Sequence, residues 1–359
     1  MVIAIMAGGS GTRFWPASRQ AFPKQFLSIY GSDPLIYETY KRVAPIVGDE
    51  RIFLVINRKH RNLVHQLFVH HPVRIIEEPE GKNTAAGIGL VSLWAEREFG
   101  DQPLAILPSD HYIKKEKNFI EALRIGLSFA ERGGIVTLGA VPTYPETGYG
   151  YLERGEEVFV SSTGISVYEV KRFIEKPDLE RAHSYLISQN FFWNMGIFIF
   201  KPKTILSEIE LYLPQLGEGL IRVAKAMGSE RYESILEEIY STLSPISIDY
   251  GIMEKTSEKI YFIPGDYGWS DVGNWTALLQ IKDKERDSHG NLVQGNAILL
   301  DTENSLIYSK NGRLIGVLGL KDTLIVDTED VLLISTLDRS QELGRFPEIL
   351  ARRGWTKWV

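Results

Sequence analysis

The 359-residue sequence contains no cysteine. Disulfides, thiol catalysis and cysteine-ligated zinc or iron–sulfur sites are therefore excluded. An excess of positive charge is also missing: 40 Lys and Arg stand against 46 Asp and Glu, a formal net charge of -6. No global basic field exists to attract a polyanion, so nucleic acid is not an expected partner. A compact anion such as a nucleotide needs only a local cluster of donors and remains open. Long hydrophobic runs are lacking too. The greasiest stretch, 191–200, is cut by Asn194 and Gly196 and falls short of the roughly 20 residues that span a bilayer. The N-terminus shows no basic leader segment, and a soluble, cytoplasmic protein with no membrane partner is expected. The remaining composition is ordinary for a globular chain, long enough for one large α/β domain plus a small accessory module.

Short apolar runs alternate with helix-like segments through the first half. Strands are expected at 2–6, 51–56, 73–76, 103–107 and 135–138, and helices at 35–43, 59–68, 84–99 and 119–131. This rhythm predicts an α/β fold with a mixed, mostly parallel sheet covered on both faces. In such sheets ligands bind beyond the carboxyl ends of the strands. From about Gly139 the pattern changes: a Pro- and Gly-rich loop precedes extended stretches at 168–174 and 191–200, and two or three helices fill 203–240. After about Gly290, short apolar strands separated by Gly, Asn and Asp turns suggest a small solenoid-like or sandwich-like module, with a helical segment at 339–352. The expected domains are 1–288 and 289–359, the second serving packing or dimerisation.

The strongest local signal is Ala7-Gly8-Gly9-Ser10-Gly11-Thr12-Arg13, directly after the first strand. Glycines let backbone N–H groups converge on an anion, although a plain strand-to-helix turn would look similar. Arg13 at the loop's end and Lys24 in Phe22-Pro23-Lys24-Gln25 add two permanent cations, which suits a triphosphate. Rival phosphate motifs fit poorly. Thr12-Arg13-Phe14 replaces the Gly-Lys-Ser/Thr of a Walker A loop, a dinucleotide fingerprint lacks its third glycine, and Thr12 stands where a nucleophile elbow needs glycine. Two acids could hold a divalent cation beside the phosphates: Asp110 in Leu107-Pro108-Ser109-Asp110-His111, and Asp271 in Gly268-Trp269-Ser270-Asp271-Val272-Gly273. Each could equally be a turn or cap residue. Asn194 inside Phe-Phe-Trp-Asn-Met-Gly-Ile-Phe is costly to bury without a partner, which a sugar hydroxyl or a backbone group could supply.

Taken with these blocks, Glu78-Pro79, Lys82-Asn83-Thr84-Ala85, Gly148-Tyr149-Gly150-Tyr151, Phe173-Ile174-Glu175-Lys176-Pro177, Trp193-Asn194-Met195-Gly196 and Ser247-Ile248-Asp249-Tyr250 extend the pattern to about residue 280. In this order they resemble the signature of sugar-nucleotide pyrophosphorylases, and among these the bacterial mannose-1-phosphate guanylyltransferases. The resemblance implies a Rossmann-like nucleotidyltransferase domain with a small C-terminal left-handed β-helix. It also implies synthesis of GDP-mannose and pyrophosphate from GTP and mannose 1-phosphate, with Mg²⁺ or Mn²⁺ as cofactor, in a homodimer. Carried over by motif, Gly8, Gly9, Gly11, Thr12 and Arg13 would wrap the triphosphate together with Lys24. Asn83, Thr84 and Ser109 would face guanine and ribose. Gly150, Glu175, Asn194 and Asp249 would line the mannose pocket, Lys176 would reach the sugar's phosphate, and Asp110 and Asp271 would hold the metal. Many relatives continue into a phosphomannose isomerase domain; this sequence stops at Val359, and isomerase activity is not expected. The neighbouring alternatives are a thymidylyl- or uridylyltransferase acting on glucose 1-phosphate and a non-catalytic pyrophosphorylase subunit. The latter would be expected to have lost Arg13, Lys24 or an acid, all of which are present.

Overall fold

The apolar run Val2–Ala7 is buried along nearly its whole length, as a strand covered on both faces requires. In the computed structural model, which describes residues 1–9 and 11–359, it lies inside a nine-stranded sheet. Contacts divide the chain into two compact units. The first comprises Met1–Gly8, Thr39–Ser109 and Ile113–Trp269; the second comprises Gly9–Glu38, Asp110–Tyr112 and Ser270–Val359. This division differs from a single cut at residue 288. The reason is packing: Phe14, Trp15, Leu27, Ile29 and Leu35 share one core with Leu306, Tyr308, Leu324 and Val326, far along the chain.

In the first unit the sheet order is Arg74–Glu78, Ile52–Asn57, Val2–Ala7, Leu104–Pro108, Phe191–Phe200, Ile135–Ala140, Ile260–Gly265, Ser166–Glu175 and Gly150–Val160. The strands of the N-terminal half pair in parallel. Antiparallel pairs enter with the segment that follows Gly139, so the sheet is mixed. Val2–Ala7 has its successor in sequence on one side and Leu104–Pro108 on the other, which makes its carboxyl end a topological switch point. Three helices fill 202–242; Pro202 and Pro214 each open one at its first position, where the missing N–H costs nothing. The strand Gly150–Val160 is not evident in the sequence because its second half is charged and exposed. Pairing with Ser166–Glu175, through several register shifts, makes it extended.

The second unit holds the C-terminal coils. Leu306 pairs with Leu324 and Ala297 with Ile315, both in parallel, so one coil repeats every 18 residues. At a corner of the coils Asn304 (φ 45°) and Asp322 (φ 48°) adopt the left-handed conformation that Asn and Asp tolerate. The Asn304 amide donates to the Asp322 carboxylate and accepts from Arg286 Nη2 at 2.8 Å. Leu332–Thr336 then turns back antiparallel on Thr323–Asp327 and ends the stack. The expected helix at 339–352 forms in two parts, a 3-10 segment Leu337–Gly344 and an α-helix Arg345–Arg352. Among the described residues no helix is long and apolar enough to cross a membrane.

Leu324 is fully buried between the coils and residues of the 9–38 segment. Leu324→Ala should lower the free energy of unfolding by about 2–5 kcal/mol. Urea denaturation measures this, and an unchanged midpoint would remove Leu324 from the shared core.

Candidate active site

Gly11 begins the second unit's site. Its φ of 59° is left-handed, and a Cβ there would stand 2.1 Å from Lys24 Cβ. Only glycine meets both conditions. The loop is tied down by Ser18 Oγ, which donates to the Gly11 carbonyl at 2.7 Å, and by Gln25 Nε2, which donates to the Gly9 carbonyl at 3.0 Å. Lys24 lies beneath it, 5% exposed. Its ammonium is 2.8 Å from Asp110 Oδ2 and donates to the Asp271 backbone carbonyl at 2.8 Å. Burial pushes the Asp110 carboxyl up, but the charges of Lys24 and His111 outweigh it and hold the group below its ordinary value. Thr12 is half-buried, and Arg13 is exposed and makes no ion pair among the described residues. Ser10 lies outside the described residues.

Asp271 sits in a strained turn. Val272, buried and β-branched, has φ 48°, a conformation that costs on the order of 1–3 kcal/mol. Two bonds hold it: Val272 N–H to Ser270 Oγ at 3.1 Å and Gly273 N–H to Asp271 Oδ1 at 3.0 Å. Lys24 thus connects both acids expected to hold a metal. Among the described residues no group of three or more His, Asp or Glu side chains is placed to hold a metal ion. A pair of carboxylates suits a hard cation that completes its shell with phosphate oxygens and water.

In the first unit, three chain segments end at the sheet's switch point. Gly8 follows Val2–Ala7, Glu78 closes its own strand, and Ser109 follows Leu104–Pro108. Ser109 is buried; its N–H donates to the Met6 carbonyl at 3.1 Å, and its carbonyl accepts from Thr39 Oγ1 at 3.2 Å. Glu78 went unassigned in the sequence, where its one signal was an acid closing a strand. Its carboxyl lies 3.3 Å from where a Gly8 Cβ would stand and 3.1 Å from a Gly87 Cβ. Burial raises it to about 7 against the opposing bond from the Tyr240 hydroxyl, 3.1 Å away. Asn83 starts the helix Asn83–Phe99 at φ 63° and is exposed. Thr84 Oγ1 accepts from Ile248 N–H at 2.8 Å, which brings the expected nucleotide segment beside the expected sugar segment.

A second cluster in the same unit gathers the expected sugar-binding residues. Gly150 and Glu175 face each other in register at the ends of two strands, and a Cβ on Gly150 would come within 2.5 Å of Glu175 Oε2. Lys176, at φ 46°, sets its ammonium 2.7 Å from Glu175 Oε1 and over the Tyr250 ring. Burial lowers the Lys176 pKa, but the Glu175 carboxylate more than compensates and keeps it cationic. Asn194 is satisfied within the protein. Its oxygen accepts from Thr137 Oγ1 at 2.8 Å and Gly196 N–H at 3.2 Å, and its amide donates to Asp249 Oδ1 at 3.1 Å. Two neighbouring side chains and a backbone group therefore meet its needs, and it orients Asp249. That aspartate opens a π-helical turn, Asp249–Met253, a distortion often found at functional sites. Sequence reasoning passed over two further features. Glu254 Oε1 accepts the Glu175 N–H at 2.7 Å. Trp193 packs edge-on to Tyr144 and Tyr149 and tilted to Trp269, with centroids 4.9, 5.4 and 6.4 Å away. The signal was adjacency: Tyr149 precedes Gly150 and Trp193 precedes Asn194.

A glycine loop set against a buried lysine and two acids suits an enzyme that handles phosphate, and the chain belongs to the nucleotidyl transferase family, whose model matches residues 3–288. A second model, the MannoseP isomerase/GMP-like beta-helix domain, matches residues 295–345. Within that family its branch is the mannose-1-phosphate guanylyltransferases. It is 38% identical to a mannose-1-phosphate guanylyltransferase of Escherichia coli over 99% of this chain and 74% of that one. It is also 38% identical to the xanthan biosynthesis protein XanB of Xanthomonas campestris, over 94% of this chain and 71% of that one. A crystal structure from Thermus thermophilus, described as a mannose-1-phosphate geranyltransferase, superposes with a TM-score of 0.86 at 34% identity, covering 98% of this chain and 99% of that one. The family resemblance and the expected fold class, an α/β domain with a β-helix-like module, hold.

Burial first, and the Glu175 charge second, raise the Asp249 carboxyl from 3.8 to about 7. The folded state then holds a proton that the unfolded chain has released, so stability falls as pH rises from about 4 to about 7. Asp249→Asn should be more stable than the wild type at pH 8, by about 4 kcal/mol, with the difference vanishing near pH 4. Denaturation at both pH values tests this; equal stability at pH 8 refutes it.

Proposed function

We propose that this chain transfers a guanylyl group from GTP to mannose 1-phosphate, giving GDP-mannose and pyrophosphate. The relatives' names support the substrates. The observation that carries the chemistry is the Lys24 ammonium held between Asp110 and the Asp271 carbonyl, below a glycine loop that ends in exposed Arg13. Gly8, Gly9, Gly11 and Thr12 would supply backbone donors to the triphosphate, and Arg13 an exposed cation. Lys24 acts from beneath, fixing both acids. Asn83, Thr84 and Ser109 lie at or near the strand ends where base and ribose would bind, with Thr84 already tied to Ile248.

The nucleophile is a phosphate oxygen of the sugar phosphate. Its second pKa near 6 leaves it largely dianionic at pH 7, so attack on the α-phosphorus needs no general base. The obstacle is repulsion between two anions. Arg13, Lys176 and the loop amides offset that repulsion and the charge that develops on the departing pyrophosphate. Asp110 and Asp271 would hold Mg²⁺, or Mn²⁺, which when bound supplies charge neutralisation on the phosphates. Glu175 and Asp249 present acceptors for sugar hydroxyls, and Gly150 leaves the space beside them open.

A GTP-dependent reaction belongs in the cytoplasm, where nucleoside triphosphates are made. The coil strands also favour a homodimer. Ile298, Leu300 and Leu318 are all more than half exposed and lie on paired strands, an apolar face that a second copy would cover.

Pyrophosphate release measured across four nucleoside triphosphates and two sugar phosphates should be fastest with GTP and mannose 1-phosphate; preference for UTP or dTTP with glucose 1-phosphate would overturn the assignment. Arg13→Ala should lose about 2–4 kcal/mol of transition-state stabilisation with an unchanged melting temperature, and near wild-type turnover would refute its role. Lys176→Ala should chiefly raise KM for the sugar phosphate. In a Mg²⁺ titration, Asp110→Asn and Asp271→Asn should each need more metal for half-maximal rate; an unshifted curve removes that residue from the metal shell.

A further inference from the structure

The glycine loop continues into a 3-10 turn of three residues, Thr12–Phe14. A turn this short has little stability of its own, so neighbouring contacts decide its order. Lys24 and Ser18 hold its beginning. Its end is held by residues more than 300 positions later. The Trp15 ring stacks on Phe346 with centroids 4.7 Å apart and planes 5° from parallel. Trp15 Nε1 donates to the Trp358 carbonyl at 2.8 Å. Gly344 faces Thr12 so closely that a Cβ there would stand 3.2 Å from Thr12 Oγ1.

Two features distinguish this contact from ordinary core packing. Phe346 is 39% exposed, whereas its partner Trp15 is 5% exposed, so the phenylalanine contributes little to the shared core. Between loop and helix lies a cavity of about 440 Å³ lined by Thr12, Ser18, Arg19, Gly344, Pro347 and Glu348, among others. Phe14 and Trp15 are embedded in the shared core, whereas Thr12 is half-buried and Arg13 exposed, so these two residues are gripped at separate points and not embedded.

We propose that the C-terminal elements Leu337–Gly344 and Arg345–Arg352 clamp the nucleotide loop, with Phe346 a positioning residue that sets the order of Thr12 and Arg13 and so the affinity for the triphosphate. This rests on reading residues 8–13 as the triphosphate loop. Phe346 touches no substrate; it acts through Trp15. Its loss mobilises the loop and lowers nucleotide affinity, while the sugar-phosphate cluster, built from other elements, is unaffected.

The test uses the full chain with Phe346→Ala and the conservative Phe346→Tyr. Hydrogen exchange of peptides covering residues 9–18, without substrate, should be faster in Phe346→Ala and restored in Phe346→Tyr. KM for GTP should rise about three- to tenfold in the alanine variant, with KM for mannose 1-phosphate unchanged and the tyrosine variant near wild type. Unchanged exchange across residues 9–18 would overturn the clamp. Faster exchange with an unchanged KM for GTP would overturn the positioning role, as would equal rises in KM for both substrates, which mark general destabilisation. The reading beneath it fails separately: wild-type protein that shows no GTP binding, or whose GTP affinity is untouched by Arg13→Ala, disproves the loop assignment while leaving the exchange result to decide the clamp.

Discussion

A lysine ammonium is expensive to bury, and Lys24 is tolerable in its position because two acceptors surround it. That enclosure organises the second unit's site. The ammonium sets the Asp110 carboxylate and the Asp271 backbone, while the lysine's own Cβ leaves room only for a glycine at position 11. Loop shape, acid placement and the strained Val272 turn all converge on this one charge. A neutral side chain in its place would leave Asp110 without the cation that keeps it ionised.

The first unit treats charge differently. Glu175, Asp249 and Lys176 form a small group with more acid than base, partly shielded from water, and the Asp249 proton is correspondingly hard to remove. Such an arrangement lowers stability, the usual cost of a site not optimised for the resting protein. Backbone geometry carries the same mark. Among the described residues seven non-glycine residues have positive φ: Asn83, Lys176 and Val272 lie at or beside expected site residues, Asp301, Asn304 and Asp322 lie in the coil segment, and Gln189 caps the helix Leu179–Ser188. Apart from that helix end, strain occurs where chemistry is expected and where the coil must turn.

The C-terminal coils are more than an appendage of a catalytic domain. Their apolar interior is continuous with side chains from residues 14 to 35, so the segment carrying the glycine loop, Arg13 and Lys24 is folded by residues from the far end of the chain. The order of that segment thus depends on residues 306–343, with which it shares its core.

What the sequence determined by itself was whatever rests on local spacing. The parallel strands, the glycine loop with its two cations, the acids after strand ends and the prolines that open helices are all visible as short patterns, because each reflects a backbone requirement of a few residues. Tertiary structure decided the pairings. Nothing in the sequence puts Lys24 between Asp110 and Asp271, satisfies Asn194 through Thr137 and Asp249, or closes Glu78 beside Gly8 and Gly87, since each depends on strand order and register across long separations. The division into units was likewise settled only by packing: residues 9–38 are assigned by the core they share, and shared burial leaves no mark on the order of residues along a chain.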